Sequence, residues 1–370
     1  MKYFFIPLFL CIIFFYKTEG ATRSQNGPVR IGIIGLTHTH VHWIFNSANK
    51  GEIEIVGIVE PDEQLAMRYA EQYKFPMGKL YKTIADMLQH ENPEGVTAFG
   101  TIAEHLKVVE VCAPRGIHVM VEKPLAIDMQ QARKMQALAI KHNIHLLVNY
   151  ETSWYPTVQK AKTLLASDSI GSLVQLIIRD GHRGPKNIGV NSEFLNWLTD
   201  PRQNGGGAIM DFGCYGANIA TWILNGKRPQ AVTAVTQQLQ KENNPLVDDE
   251  STIILTYDNC KVTIQASWNW PIGRKDMEVY GRKGVIYADN RNNLRVRIAK
   301  GYDGYDETAA VLEEMDAPHD DPFTFFAAVI RKKMSIPDYD LSSLENSLLV
   351  QEILDAARLS AETGKTIPLK

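Results

Sequence analysis

Five short apolar runs separated by helix-period segments govern what residues 29–150 can become. Runs 29–36, 53–59, 96–99, 118–121 and 145–148 are rich in Val and Ile and bounded by polar or glycine-containing stretches, as buried strands are. Between them, segments 64–73, 84–90, 105–113 and 129–142 place apolar residues at helical spacing. Strands joined through helices pair in parallel, because the crossover returns the chain in the same direction. The alternation therefore predicts a doubly wound parallel sheet, with ligands bound beyond the carboxyl ends of its strands.

Beyond residue 150 the texture changes. A helix at 156–166 leads to a strand at 173–180, a Gly- and Asn-rich loop and a helix at 210–224. Strand-like runs follow at 231–236, 251–257, 261–266, 277–280 and 285–288, with turn residues at Asp258-Asn259 and Arg282-Lys283-Gly284. Helices at 323–333 and 344–363 close the chain, with Gly364 as a helix stop. The pattern predicts an α/β protein whose second part, residues 151–370, carries a largely antiparallel open sheet with helices on one face. The first part is a nucleotide-binding domain over residues 25–150.

The first 24 residues read differently. Lys2 precedes an apolar run at 3–16, and the polar stretch after it holds the small residues Gly20 and Ala21, as a cleavable export signal does. The run is shorter than the roughly 20 residues a spanning helix needs, and Pro7 interrupts it. Leu10 stands before Cys11 where a lipoprotein signal has a small residue. The expectation is an exported, periplasmic protein with no stable membrane insertion of the mature chain. A net charge of -3 gives no footprint for nucleic acid. Cys112, Cys214 and Cys260 are spaced neither as a disulfide framework nor as a zinc site.

Three stretches carry chemistry. In "IGIIGLTHTHVH", from Ile31 to His42, Gly35 holds the first place of a dinucleotide fingerprint, while Thr37 and His40 occupy the second and third. Glu60 ends the second strand, where a carboxylate meets the ribose hydroxyls of NAD and repels the 2'-phosphate of NADP. His38, His40 and His42 alternate and so diverge where a helix begins, which argues against a metal site. His38 and Thr39 at that helix N-terminus, and the Thr37 N–H and hydroxyl, can instead meet a phosphate or a substrate.

In "GIHVMVEKPLA", Pro124 keeps Lys123 extended and projects its ammonium into the cleft, where desolvation lowers a lysine pKa. In "DPRQNGGGAIMDFGCYGANIATWIL", helical spacing puts Asp211, Tyr215 and Asn218 on one face, and Gly205–Gly207 allow close backbone approach. Each feature taken alone also fits a plainer reading: a surface carboxylate, a solvated lysine, a solvated helix face.

Together these stretches resemble the Gfo/Idh/MocA oxidoreductase superfamily from Val29 to Lys370. In motif they are nearest the branch that holds glucose-fructose oxidoreductase, xylose dehydrogenase and dihydrodiol dehydrogenase. The carrying residues are "VRIGIIG", Glu60, His105 in "GTIAEHLKVVE", Glu122-Lys123-Pro124, the segment from Gly205 to Tyr215, and "AARLSAETGKTIPL". The resemblance implies a Rossmann N-terminal domain and a C-terminal substrate and oligomerisation domain.

It further implies hydride transfer between a nicotinamide and a sugar or glycoside carbon. Lys123 and Tyr215 would contact the reacting hydroxyl, with Tyr215 as acid/base and Asp211 orienting substrate or lysine. A phenol works so at neutral pH when an ammonium favours its phenolate, and Lys123 is the neighbour for that. The cofactor would be NAD in preference to NADP, tightly held in an exported protein by Gly35, Thr37, His38, Thr39, Glu60, Gly100, His105, Glu122 and Lys123. A homo-oligomer is also implied. Gly100 stands where the family commonly has threonine. Two other functions fit the same residues: an exported NAD-dependent glycosidase working through a transient keto-sugar, and a non-catalytic sugar-binding protein with a decayed cofactor site.

Overall fold

The structure is a computed structural model that describes residue 1, residues 27–48 and residues 50–369. The export segment at 1–24 falls, apart from residue 1, outside them.

In the first half β1 (Val29–Ile34), α1 (Val41–Ala48), β2 (Ile53–Val59), α2 (Glu63–Tyr73), β3 (Leu80–Tyr81) and α3 (Ile84–His90) come in turn. They are followed by β4 (Gly95–Ala98), α4 (His105–Cys112), β5 (His118–Glu122), α5 (Met129–His142) and β6 (Leu146–Asn149). The strands form one parallel sheet in the order β3-β2-β1-β4-β5-β6. The order reverses between β1 and β4, which opens a crevice at their carboxyl ends. Capping side chains begin three of the helices: Asp62 for α2, Thr83 for α3 and Asp128 for α5. Only the two-residue β3 escapes the periodicity.

The second half contains α6 (Pro156–Ala166), β7 (Leu173–Gly181), α7 (Pro185–Ile188), α8 (Ser192–Leu198), α9 (Pro201–Asn204), α10 (Ala208–Asp211) and α11 (Gly213–Ile223). Next come β8 (Ala231–Gln237), β9 (Glu250–Thr256), β10 (Lys261–Ser267), β11 (Arg274–Gly281), β12 (Gly284–Ala288), β13 (Asn293–Lys300) and β14 (Gly304–Val311). Helices α12 (Pro322–Ile330) and α13 (Leu344–Thr363) and strand β15 (Ile367–Pro368) complete the chain. The sheet order is β14-β13-β12-β11-β7-β10-β9-β8-β15, antiparallel except where β7 pairs β10. Strands β13, β14 and β15 are additions to the sequence reading, and the stretch expected as a loop after β7 contains the short helices α7, α8 and α9. Every residue of β14 is exposed, so no buried face imposes the apolar alternation by which a strand is recognised.

Two departures bear on the site. The single helix expected at 210–224 is broken at Phe212 into α10 and α11. Helix α12 packs on the first sheet, its Phe323, Phe325 and Phe326 joining β1 and β2 side chains in one core. Among the described residues no helix is long and apolar enough to cross a membrane. Among the described residues Cys112, Cys214 and Cys260 are free, the first two buried and the third half-buried.

Candidate active site

The turn after β1 is built by contacts to β2 and β4. Gly35 has φ +81°, and a Cβ there would stand 2.7 Å from Gly100 N, so only glycine lets the two strand ends meet this closely. The Leu36 N–H donates to Glu60 Oε2 (2.9 Å) and the Asp62 N–H to Glu60 Oε1 (3.0 Å), which clamps the ends of β1 and β2 together. Burial raises the Glu60 carboxyl, against those hydrogen bonds. The His38 N–H donates to Phe99 O (2.8 Å). The Thr37 and Thr39 N–H groups have no acceptor among the described residues, and they sit at the entrance to α1.

Gly100 has a local reason to be glycine. A Cβ there would come within 2.5 Å of Glu104 Oε2, the atom that accepts the Thr101 N–H to cap the next turn.

The expected divergence of the histidines holds only for His42, because His38 and His40 precede α1. His42 points to Tyr69 and Tyr73, while His38 and His40 converge on Glu122. His40 Nδ1 lies 2.9 Å from Glu122 Oε2, and the ring stacks on Trp43 at 3.8 Å. His38 is turned inward: it is buried against Phe194 and Trp197, and burial holds its pKa well below the usual value. Burial would raise the Glu122 carboxyl, but His40 and then His38 outweigh it and bring it down to about 2. His38, His40 and Glu122 are close enough to surround an ion. His38 Nδ1, however, accepts the His40 N–H (3.1 Å), so the neutral ring presents an N–H to the cluster instead of a metal-binding lone pair.

Lys123, Asp211 and Tyr215 come together, and their charges differ from the expectation. The Lys123 ammonium donates to the Asp211 carboxylate and to Asp211 O (3.0 Å), and Trp268 Nε1 donates to the other carboxylate oxygen (3.0 Å). Burial would lower the Lys123 pKa, but Asp211 reverses this and raises it, so the lysine stays an ammonium. Asp211 is held below its usual value in the same way, by Lys123 against burial. The Tyr215 ring lies 5.1 Å from Lys123 Nζ. Its phenol is pushed well above 10 by burial, then by the Glu151 and Asp180 carboxylates, so Lys123 does not favour a phenolate here. The Tyr215 side chain is held as a neutral phenol.

Asn218 lies elsewhere. Its side-chain amide donates to Leu341 O (2.8 Å) and its backbone carbonyl accepts from Asn346 Nδ2 (3.2 Å), because the break at Phe212 shifts the phase between Asp211 and the helix after it. The glycines before α10 also serve the protein itself. A Cβ on Gly207 would stand 1.7 Å from Asp248 O, and the Asp248 carboxylate accepts the Gly207 and Ile209 N–H groups.

Glu151, Asp180, His182, Trp268 and Lys275 escaped the sequence reading. Lys275 of β11 donates to Glu151, and its ammonium lies 4.4 Å from the Tyr215 ring. Asp180 of β7 pairs in register with Lys275; it is buried, and its Oδ1 has no partner. His182 follows on the same strand end, its pKa lowered by burial. Lys275 and Asp180 come from separate strands of the second sheet, so no linear motif marks them.

The residues fit a dinucleotide. A crevice of about 480 Å³ runs along Gly35, Thr37, Glu60, Gly100, Thr101 and His105. His105 is fully buried with its pKa lowered to about 4, chiefly by burial; Nδ1 is hydrogen-bonded to Leu125 O (3.1 Å), and Nε2 is a buried polar atom with no partner. The bare N–H groups of Thr37 and Thr39 and the glycine at 35 are what a phosphate-bearing ligand would use, while His105 Nε2, left as a lone pair because Nδ1 donates to Leu125 O, can accept only from an O–H or N–H.

A doubly wound sheet with such a turn, and an ammonium beside a phenol just past the end of β5, has the parts of a nucleotide-binding oxidoreductase. Residues 29–150 match the oxidoreductase family with an NAD-binding Rossmann fold, and residues 158–287 match the GFO/IDH/MocA C-terminal domain. The chain belongs to the Gfo/Idh/MocA oxidoreductase family. It is 23% identical to a trans-1,2-dihydrobenzene-1,2-diol dehydrogenase of Xenopus tropicalis, over 85% of this chain and 91% of that protein. With the human protein of that name it shares 24% identity, over 71% and 74%. The aldose-aldose oxidoreductase of Caulobacter crescentus superposes with a TM-score of 0.76 at 20% identity, over 92% of this chain and all of that one. An inositol dehydrogenase homolog of Azotobacter vinelandii, solved with NAD+, gives 0.79 at 15% identity, over 93% and 98%.

Proposed function

We propose that this protein transfers hydride between a nicotinamide and a hydroxyl or keto carbon of a sugar or glycoside, with Lys123 and Tyr215 at the reacting oxygen. The observation that carries this reading is the Lys123 ammonium, held by Asp211 beside the Tyr215 phenol just past the end of β5. Bound NAD supplies the hydride chemistry. The side chains do the rest: Lys123 and Tyr215 donate hydrogen bonds to the substrate oxygen, and Asp211, gripped by Trp268, fixes where Lys123 points. In the reducing direction Tyr215 is the acid.

Glu60 supports NAD over NADP. Each of its oxygens keeps a lone pair after accepting Leu36 and Asp62, enough for ribose hydroxyls, and a carboxylate opposes a 2'-phosphate. A protein exported by residues 1–24 works without a free cofactor pool, so the cofactor stays bound through turnover. In the same reading the mature chain forms a homo-oligomer.

The test is to purify the protein without added cofactor, denature it and assay the supernatant for NAD(H), then offer sugars and glycosides to the intact protein while following nicotinamide absorbance. NAD in the supernatant and reduction by a sugar are the expected results. Neither bound cofactor nor binding of added NAD would sink the reading. Aglycone release without net NADH would replace it with the redox-neutral glycosidase. N-terminal sequencing of the exported protein should begin near residue 25.

A further inference from the structure

Asp211 is fixed from several sides. Its backbone carbonyl and one carboxylate oxygen accept from the Lys123 ammonium, and its other carboxylate oxygen accepts from Trp268 Nε1 (3.0 Å). It ends α10, a helix of one turn, and its N–H donates to Gly207 O (2.9 Å). Where Asp211 aims is therefore set by how Gly207 and the start of that turn are held.

The start of a helix leaves N–H groups without intrahelical partners, and the side chain at the N-cap commonly takes one or two of them. Here the N-cap is Gly207, which has no side chain. The acceptors come instead from Asp248, two residues before β9. Asp248 Oδ1 accepts the Gly207 N–H (2.9 Å), Oδ2 the Ile209 N–H (2.7 Å), and the Asp248 backbone carbonyl the Ala208 N–H (3.1 Å). Three consecutive N–H groups end on one residue, and the missing Cβ at 207 is what lets that residue come so close.

The next residue completes the arrangement. Asp249 O accepts the Trp268 N–H (2.8 Å), so the indole that binds the Asp211 carboxylate is anchored beside the residue that anchors its helix. The Asp249 carboxylate accepts the Leu239 and Gln240 N–H groups (2.7 Å each) and the Asn269 amide (3.1 Å), which closes the β8–β9 connection on itself. Residues 248 and 249 thus hold Asp211 from its backbone side and from its carboxylate side.

We propose that Asp248 is a positioning residue for the redox step: through Gly207 and Ile209 it sets where Asp211 holds the Lys123 ammonium against the substrate oxygen. The inference rests on the oxidoreductase reading above. Two N–H groups aim at one side chain, so both of its oxygens must accept, as a carboxylate does. An amide at 248 would turn its own N–H bonds against one of them and release that end of α10. Asp211 and Lys123 would then lose their fixed direction, and a displacement of about 1 Å at a reacting group costs on the order of 10²-fold in rate.

The test uses the full chain with its bound nicotinamide and a panel of D-glucose, D-xylose, methyl β-D-glucopyranoside and trans-1,2-dihydrobenzene-1,2-diol. For a compound that reduces the cofactor, Asp248→Asn should lower kcat about tenfold to a hundredfold, with KM and NAD affinity within about twofold of wild type. Added to Asp211→Asn it should cost nothing further, since a misplaced Asp211 and a neutral one impair the same ammonium. Independently of any substrate, the indole ¹⁵N–¹H NMR signal of Trp268 reports its hydrogen bond to Asp211. Asp248→Asn should move that signal towards the position of a free indole and leave those of Trp43, Trp154, Trp197 and Trp222 in place. Should Asp248→Asn not fold, Asp248→Glu, which keeps the charge and displaces the carboxylate by one methylene, carries the same expectations. Undiminished kcat, losses that multiply in the double variant, or an unmoved Trp268 signal would each overturn the assignment while leaving the oxidoreductase reading intact. So would a shift of all the indole signals together with loss of NAD binding, which marks a residue that only holds the fold. A wild-type protein that turns over nothing in the panel and binds no NAD would overturn both.

Discussion

At Lys123, burial alone favours the neutral amine, which is what a lysine projected into a cleft leads one to expect. Asp211 reverses the balance, because a carboxylate in direct contact recovers more than desolvation removes. The consequence is a pair of donors, Lys123 and Tyr215, where the motif suggested a donor and a phenolate. Lys123→Ala and Tyr215→Phe should each reduce kcat by about 10²–10⁴ while NAD binding stays within about twofold, checked by steady-state kinetics and cofactor titration. Full activity in Tyr215→Phe would remove its role as acid.

The buried histidines set a pH dependence of stability. His105 and His118 have pKa values of about 4 in the folded chain, both chiefly through burial, against 6.5 when exposed. Below 6.5 the unfolded chain gains protons that the folded one refuses, so stability falls as pH drops from 6.5 towards 4. Urea midpoints at pH 7 and pH 5 should differ in that direction, and His105→Gln should narrow the difference.

Among elements, the strands and helices of the first sheet, β3 apart, are readable because each is buried on a regular face. The segment after Gly205 is less so. Helical periodicity runs unbroken across Phe212 in the sequence, yet the chain breaks there, and the expected shared face of Asp211 and Asn218 disappears with it. Glycines mark where elements press together. Gly35→Ala should lose about 1–3 kcal/mol in urea unfolding, since φ +81° and the approach to Gly100 both oppose a side chain. Gly207→Ala should lose more, because its Cβ would overlap Asp248 O.

Across the whole molecule, α12 ties the end of the chain to the first sheet. Phe326 is fully buried there, near Gly95, and Arg331 pairs with Glu94 just beyond the helix. Phe326→Ala should destabilise the protein by about 3–5 kcal/mol, as deletion of a buried aromatic does, measured by chemical denaturation. Because that core underlies β1, the same variant should release its nicotinamide at lower urea than wild type.

Short-range pattern was enough to reveal the doubly wound sheet, the helix stop at Gly364, the strand-end Glu60 and Lys123 and the helical segment that carries Tyr215, since these depend on periodicity and on neighbours within a few residues. The partners of those residues were not legible. Which carboxylate holds Lys123, why Glu122 takes His40, and how Lys275 and Asp180 come beneath Tyr215 depend on strands and helices far apart in the chain meeting at one crevice. Protonation follows partners, and partners follow packing, so the chemistry of a site whose residues were mostly visible in the sequence was decided only by the folded chain.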